Sequence, residues 1–209
     1  FLFIAGTIHY SAFLYVVLIF IKNNNKQKLV KGIIYLAFFL SILTIINNNK
    51  IPFLSQIMTD TEIISDKISN WFNNSARFGF LIKWLEQTIV FFTIVLTKRI
   101  TEKNIKNFKK NNEKIMIYCD AIYWINFCMF ILFPFYIVTA SFWRLMRSIV
   151  FLNYIAYANC SDSFYNKSKE KIMYNIAIIL ILIFLFFFEI IYPYNGVILK
   201  NIFEYNLFF

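Results

Sequence analysis

The sequence has few of the residues that form turns: 4 glycines and 3 prolines in 209 residues. A β protein needs many turns, and turns depend on these two residues, so their scarcity argues against a loop-rich β fold. Charge is scarce as well, because 15% of the residues are charged and 60% are hydrophobic. Soluble domains are about one quarter charged. The composition therefore excludes an ordinary soluble domain.

Residues that bind metals or form cross-links are also few. His9 is the only histidine, and Cys119, Cys128 and Cys160 form no CxxC pair. A lone histidine cannot supply both imidazoles of a haem or copper site, and this cysteine spacing fits neither a disulfide framework nor a zinc site. We therefore predict a chain with no cofactor and no metal of its own.

What the sequence contains instead is long apolar runs. Residues 172–192 read IMYNIAIILILIFLFFFEIIY, with Glu189 as the only formal charge. Roughly 20 apolar residues cover the ~30 Å hydrocarbon core of a bilayer. We predict an all-α polytopic transmembrane helix bundle that forms a single integral membrane domain over residues 1–209. Five or six spans are expected, depending on whether 145–158 crosses: 1–21, 32–46, 78–97, 115–140, 145–158 and 172–192.

Two further features modify this bundle. In the polar stretch between the second and third spans, one apolar stripe recurs at helical spacing: Ile57, Thr61, Ile64, Ile68 and Trp71. Such a stripe is typical of an amphipathic helix that lies in the membrane interface. Pro134 falls inside the predicted fourth span, where its missing N–H is expected to kink the helix.

The net charge of +10 comes mostly from lysines that flank the apolar runs. Most of the 21 basic residues lie in loops 22–31, 98–114 and 160–171, which share one side of the membrane if six spans cross. This asymmetry follows the positive-inside rule. We predict anionic lipid headgroups, cardiolipin among them, as partners of these loops, and no nucleic acid.

Lys83 and Glu86 are the main candidate site residues. They lie three residues apart in the predicted span 78–97, so they share one helix face and can pair. An unpaired charge inside a span costs about 2.5–3.5 kcal/mol on insertion scales. Two interpretations follow: a structural intramembrane ion pair, which we favour, and a section of a proton or ion path.

Four more charged residues are weaker candidates. Glu189 lies near the far end of the last span and is predicted to reach the interface. Asp120 lies just inside the fourth span and is expected to pair with Lys114 or with a lysine at headgroup level. Arg144 and Arg147 share a helix face and are predicted to anchor their helix at the interface.

Residue usage supplies a resemblance to known proteins. The sequence has 27 Phe and 13 Tyr, it is rich in Ile, Asn and Lys, and arginine occurs only four times, at Arg77, Arg99, Arg144 and Arg147. AT-only codons favour this usage. With the run ILILIFLFFFEIIY and the NNNK clusters, the chain resembles the multi-pass membrane proteins that protist mitochondrial genomes encode, those of ciliates in particular.

That resemblance implies a membrane subunit of a large energy-transducing complex in the mitochondrial inner membrane. Complex I of the respiratory chain is favoured over an ATP synthase membrane subunit. The implied partners are other membrane subunits, and the Lys-rich loops would face the matrix. The role would be mainly structural, without catalytic activity of its own, and Lys83 and Glu86 would support proton translocation. A self-contained transporter or channel is the alternative from another class.

Overall fold

The computed structural model describes residues 24–49, 79–108, 113–138, 142–164 and 168–191. All regular secondary structure in these ranges is helical, which confirms the predicted all-α class. A 3-10 segment, Met129–Leu132, joins the third helix to the fourth, and a π-helical turn, Phe187–Ile191, follows the last. The α-helices of these ranges are α1 (Asn24–Ile46), α2 (Gly79–Phe108), α3 (Glu113–Cys128), α4 (Phe133–Val138), α5 (Trp143–Ser163) and α6 (Lys169–Phe186).

Within the described ranges, four helical stretches are long and apolar enough to cross a membrane: Gln27–Ile46, Gly79–Lys106, Lys114–Val138 and Lys169–Ile191. They support the predicted helical membrane bundle. Helix α5 covers the region of the fifth predicted span but is not among the four, since charged and polar residues such as Arg144, Arg147 and Asn153 interrupt its apolar run. The predicted span 1–21 and the amphipathic stretch 57–71 lie outside the described residues.

Two compact units make up the chain, Phe1–Asn159 and Cys160–Phe209. The first contains α1 to α4 and most of α5, and the second contains the end of α5, α6 and the π-helical turn. The single membrane domain over residues 1–209 stays a prediction. The polar contacts described below belong to the first unit, and Glu189 belongs to the second.

Helix α1 packs through a narrow stripe of mostly small residues. Val30, Ile34, Ala37, Ser41 and Thr44 follow one another at spacings of three and four and are all buried, which places them on one helix face. This face contacts α4 and the 3-10 segment. The Ser41 and Thr44 hydroxyls donate to carbonyls one turn earlier, at 2.8 and 2.7 Å, so these hydroxyls are buried with their donors satisfied.

Pro134 determines the form of the junction between α3 and α4. It has no N–H, so the carbonyl of Phe130 lacks the donor that an α-helix would supply four residues later. The N–H of Phe133 donates to that carbonyl instead, and the chain tightens into the 3-10 segment. The irregularity expected at this proline thus lies one turn before it. The carbonyl of Phe133 accepts a hydrogen bond from Trp84 Nε1 at 3.1 Å, which ties α4 to α2.

Aromatic rings fill the space around this junction. Trp84 stacks on Phe133 with ring centroids 4.8 Å apart and an interplanar angle of 8°. Phe38 meets the same Phe133 ring edge-on at 5.2 Å. Phe133 is therefore the point where α1, α2 and α4 meet, and its packing holds the first turns of α2 against α4.

Candidate functional site

One group of buried polar side chains collects beside this junction, and we name it the Glu86 cluster. It consists of Lys83, Glu86 and Gln87 from α2, Tyr136 from α4 and Trp143 from α5. The three α2 residues share a face because they are spaced by three and four residues. The cluster thus joins the start of α2, the end of α4 and the start of α5 at one end of the bundle.

The centre of the cluster is an ion pair. Lys83 Nζ donates to Glu86 Oε2 at 2.9 Å and to Oε1 at 3.2 Å. The Glu86 side chain is 1% exposed and that of Lys83 is 14% exposed. The ammonium also lies 5.3 Å from the centroid of the Trp143 ring, within range of a cation–π interaction. The two predicted site residues are in contact, and the ammonium neutralises a carboxylate that is almost sealed from solvent.

Two buried hydrogen-bond donors lie beside this pair without a partner. Tyr136 donates its O–H to Gln87 Oε1 at 2.8 Å, but Gln87 Nε2 and Trp143 Nε1 have no hydrogen-bond partner. Gln87 is 0% exposed and Trp143 is 3% exposed. Each unpaired buried donor costs about 1–3 kcal/mol, and native structures contain few of them. Their position next to a buried carboxylate makes the cluster the candidate ligand site of the described residues.

Asp120 lies outside this cluster. Its carboxylate accepts a hydrogen bond from Lys98, on α2. Of the two predicted alternatives, Lys114 or a lysine at headgroup level, the first is therefore not the partner observed. Lys98 Nζ also lies 4.7 Å from the Tyr123 ring centroid, and the Asp120 side chain is 50% exposed. Lys98 follows Lys83 by 15 residues, or roughly 22 Å along a helix. This second ion pair therefore lies toward the opposite end of α2.

Of the remaining predicted residues, two arginines belong to the first unit and one carboxylate belongs to the second. Arg144 and Arg147 are exposed at the start of α5, whereas their neighbour Trp143 is buried. Glu189 is partly exposed and lies in the π-helical turn of the second unit. Within the first unit, the structure brings the predicted residues Lys83 and Glu86 into direct contact.

Sequence reasoning missed several residues of the buried polar interior. Gln87 had a usable signal, since it shares the helix face of Lys83. Asn126 and Asn153 form a reciprocal amide pair, with Nδ2···Oδ1 distances of 2.8 and 3.0 Å, and both are 0% exposed. Asparagine is so common in this chain that neither position stood out. This pair joins α3 to α5 and is a packing feature.

Metal chemistry has no support in the described ranges. Within them, no three or more His, Cys, Asp or Glu side chains lie close enough to hold a metal ion. Cys119, Cys128 and Cys160 are all buried. The Glu86 cluster itself offers a carboxylate, an ammonium, an amide, a phenol and an indole.

Comparison with known protein families gave a match, and it covers almost the whole chain. The sequence model of the EpsG family matches residues 1–207, and this is a family of bacterial membrane proteins related to exopolysaccharide. Searches of curated proteins and of solved structures gave no significant match.

The family match overturns the resemblance to protist mitochondrial proteins. The predicted function, a respiratory-chain or ATP synthase subunit that supports proton translocation in the mitochondrial inner membrane, is wrong. Residue usage caused the error, because AT-rich codons produce the same Phe, Ile, Asn and Lys content in a bacterial gene as in an organelle gene. The membrane-spanning character of the chain stands, since it rests on helix length and apolarity.

Proposed function

Because the chain belongs to the EpsG family, we propose that it is a polymerase-type protein of exopolysaccharide assembly in the bacterial cytoplasmic membrane. Its work is to join saccharide units that are held at that membrane. The observation that supports this proposal is the Glu86 cluster. Among the described residues, Glu86 is the only buried carboxylate, and it lies inside a helix that can span the membrane.

Glycosyl transfer needs the groups that this cluster holds. A hydroxyl of one saccharide attacks the anomeric carbon of another, and a base accepts the hydroxyl proton as the new C–O bond forms. The bond from that anomeric carbon to its membrane-held carrier breaks at the same time, and the carrier leaves with the electron pair. We assign Glu86 as this general base. Lys83 contacts both carboxylate oxygens and acts as a positioning residue that orients the carboxylate. Tyr136 and Gln87 supply neutral hydrogen-bonding groups for hydroxyls next to it.

The position of the cluster along α2 suits a substrate of this kind. The Lys-rich end of α2 faces the cytoplasm under the positive-inside rule, so the Glu86 cluster lies near the outer surface. A saccharide unit at that surface can enter from water while its lipid part stays in the bilayer.

Anionic lipid headgroups were predicted as partners of the Lys-rich loops, and the cytoplasmic end of α2 is the place where we propose that they bind. A shallow cavity there is lined by Arg99, Glu102, Lys103 and Lys106, three cations against one carboxylate. We propose that it accepts anionic lipid headgroups, since each such cation near a charged leaflet contributes about 1 kcal/mol of attraction. Other membrane proteins of the same assembly apparatus are the proposed protein partners.

The variant Glu86→Gln tests the assigned role in cells that carry it in place of the natural chain. The amide keeps the volume of the side chain and still accepts a hydrogen bond from Lys83, but it cannot take a proton. We expect polymer synthesis to fall about 10²-fold or more, with short membrane-bound saccharides accumulating. The measurement is the chain length and amount of surface polysaccharide, with the membrane level of the protein determined by immunoblot.

Asp120→Asn is the matched control, because the Asp120 carboxylate is also paired with a lysine of α2, Lys98, but its side chain is 50% exposed and lies outside the Glu86 cluster. It should support polymer of normal length. Full-length polymer from Glu86→Gln at a normal protein level would remove Glu86 as the base. Unchanged polysaccharide after deletion of the whole gene would overturn the proposed function itself.

A further inference from the structure

The Glu86 cluster contains two buried hydrogen-bond donors without a partner, and neither has a role in the proposed proton transfer. We propose that Gln87 and Trp143 form a recognition subsite for an uncharged, hydroxyl-bearing part of the saccharide, and not for a phosphate. This inference rests on the proposed function in that it takes the ligand to be a saccharide. The subsite determines which chemical group of the ligand is bound, whereas Glu86 is assigned to the proton transfer.

The free hydrogen-bonding capacity is present in either orientation of the glutamine amide. As the structure has it, Tyr136 donates to Gln87 Oε1 and leaves Nε2 without a partner. With the amide turned over, Nε2 would donate to the phenol oxygen and Oε1 would be left without a donor. The indole N–H of Trp143 stays a free donor in both cases. A hydroxyl satisfies both arrangements, because it donates one hydrogen bond and accepts two.

The charge balance of the cluster selects against a phosphate. Lys83 is the one cation in it, and both oxygens of Glu86 already contact that ammonium. A phosphate bound here would bring negative charge into a nearly sealed site whose one cation, among the described residues of the cluster, already contacts a carboxylate, which is strongly unfavourable. Arg144 and Arg147 do not change this balance, since both are exposed outside the buried cluster. An uncharged sugar hydroxyl needs only the hydrogen bonds that the two donors offer.

Unpaired donors also predict an unusual relation between stability and binding. Trp143→Phe keeps a ring but removes a donor that has no partner, so the free protein should be as stable as the wild type or more stable. The same change at Trp84 removes an N–H that is bonded to the Phe133 carbonyl, so the free protein should be less stable. Only the first change removes a group that faces the ligand. Trp143→Phe should therefore weaken binding without a loss of stability, and Trp84→Phe should lower stability without a loss of binding.

The test uses the full chain, purified in a detergent that has no sugar headgroup. Its thermal midpoint is measured with dodecyl N-acetylglucosaminide as the probe and with dodecyl phosphate as the comparison. The wild type should gain stability with the sugar probe and not with the phosphate. In Trp143→Phe the half-saturating concentration of the sugar probe should rise about three- to tenfold for the loss of one hydrogen bond. Trp84→Phe should begin at a lower midpoint and respond to the probe like the wild type.

Gln87→Leu provides a second variant should Trp143→Phe fail to fold, and it is also expected to weaken the response to the sugar probe. Stabilisation by dodecyl phosphate alone, an unaltered probe response in both variants, or no response of the wild type to either probe would each overturn the subsite. Loss of polymer in Glu86→Gln together with an unresponsive wild type would remove the subsite and leave the proposed function. If the wild type binds the sugar probe but deletion of its gene leaves the polysaccharide unchanged, the subsite would stand and the proposed function would be overturned.

Discussion

Removing one member of the Lys83–Glu86 pair should cost about 3–5 kcal/mol of unfolding free energy, because the other charge would stay buried without the opposite charge that it contacts. Lys83→Met leaves a carboxylate at 1% exposure, and Glu86→Leu leaves an ammonium at 14% exposure. The carboxylate is more deeply enclosed, so Lys83→Met should be the more damaging change. The measurement is reversible unfolding in mixed micelles by a denaturing detergent.

The double variant Lys83→Met with Glu86→Leu separates the net contribution of the ion pair to stability from the cost of leaving one charge buried alone. A buried ion pair is by itself a weak contributor, since the attraction between the charges is offset by the cost of removing both from water. The double variant should therefore recover most of the loss seen in either single variant. A coupling free energy of several kcal/mol between the two positions is the expected signature.

Lys98→Met is the matched control, because Lys98 also forms an ion pair from α2 but at 24% and 50% side-chain exposure of the two partners. Half-exposed pairs contribute up to about 1 kcal/mol. If Lys83→Met costs no more than Lys98→Met, then the Glu86 cluster is open to water and its carboxylate is an ordinary surface group. That outcome would also count against Glu86 as the general base.

The fold of the described helices was predictable because it rests on local properties of the chain. Apolar runs of sufficient length predicted helices at α1, α2, α3 and α6, since a bilayer requires hydrogen-bonded helices of about 20 residues. The shared face of Lys83 and Glu86 was predictable for a similar reason, since helical spacing fixes which side chains adjoin. Neither inference needed knowledge of how the helices pack together.

The rest of the site depends on tertiary contacts that no local pattern contains. Tyr136 lies 49 residues from Gln87 in the chain, and Trp143 is one aromatic residue among many. Asp120 paired with Lys98 across two helices, although Lys114 was nearer in sequence. The function was misjudged for another reason: the resemblance to mitochondrial proteins rested on residue composition, and membrane proteins of unrelated function can share a composition.

Asn153→Leu should produce the second large effect, a loss of about 2 kcal/mol of unfolding free energy, because it leaves the buried amide of Asn126 without its partner. Asn126 and Asn153 exchange two hydrogen bonds, and both are 0% exposed. Asn126 Nδ2 also bonds the Ile122 carbonyl at 2.9 Å, so part of its capacity would survive the change. Asn126→Leu should cost a similar amount, and the double leucine variant should be close to the wild type.

This pair matters because α5 is too polar to be held in the bundle by apolarity alone. Its specific ties to α3 are the amide pair and the hydrogen bond from the Tyr118 hydroxyl to the Leu152 carbonyl at 2.8 Å. Interhelical hydrogen bonds in membranes average about 0.6 kcal/mol, so a larger loss would come from the unsatisfied amide and not from the bond itself. Asn175→Leu on α6 is the control: Asn175 is half-buried, and an added leucine there should not destabilise the protein. A loss no greater in Asn153→Leu than in Asn175→Leu would mean that α5 is not fixed to α3 through these amides. The position of Trp143, at the start of α5, would then depend on its own contacts with Tyr136 and Lys83.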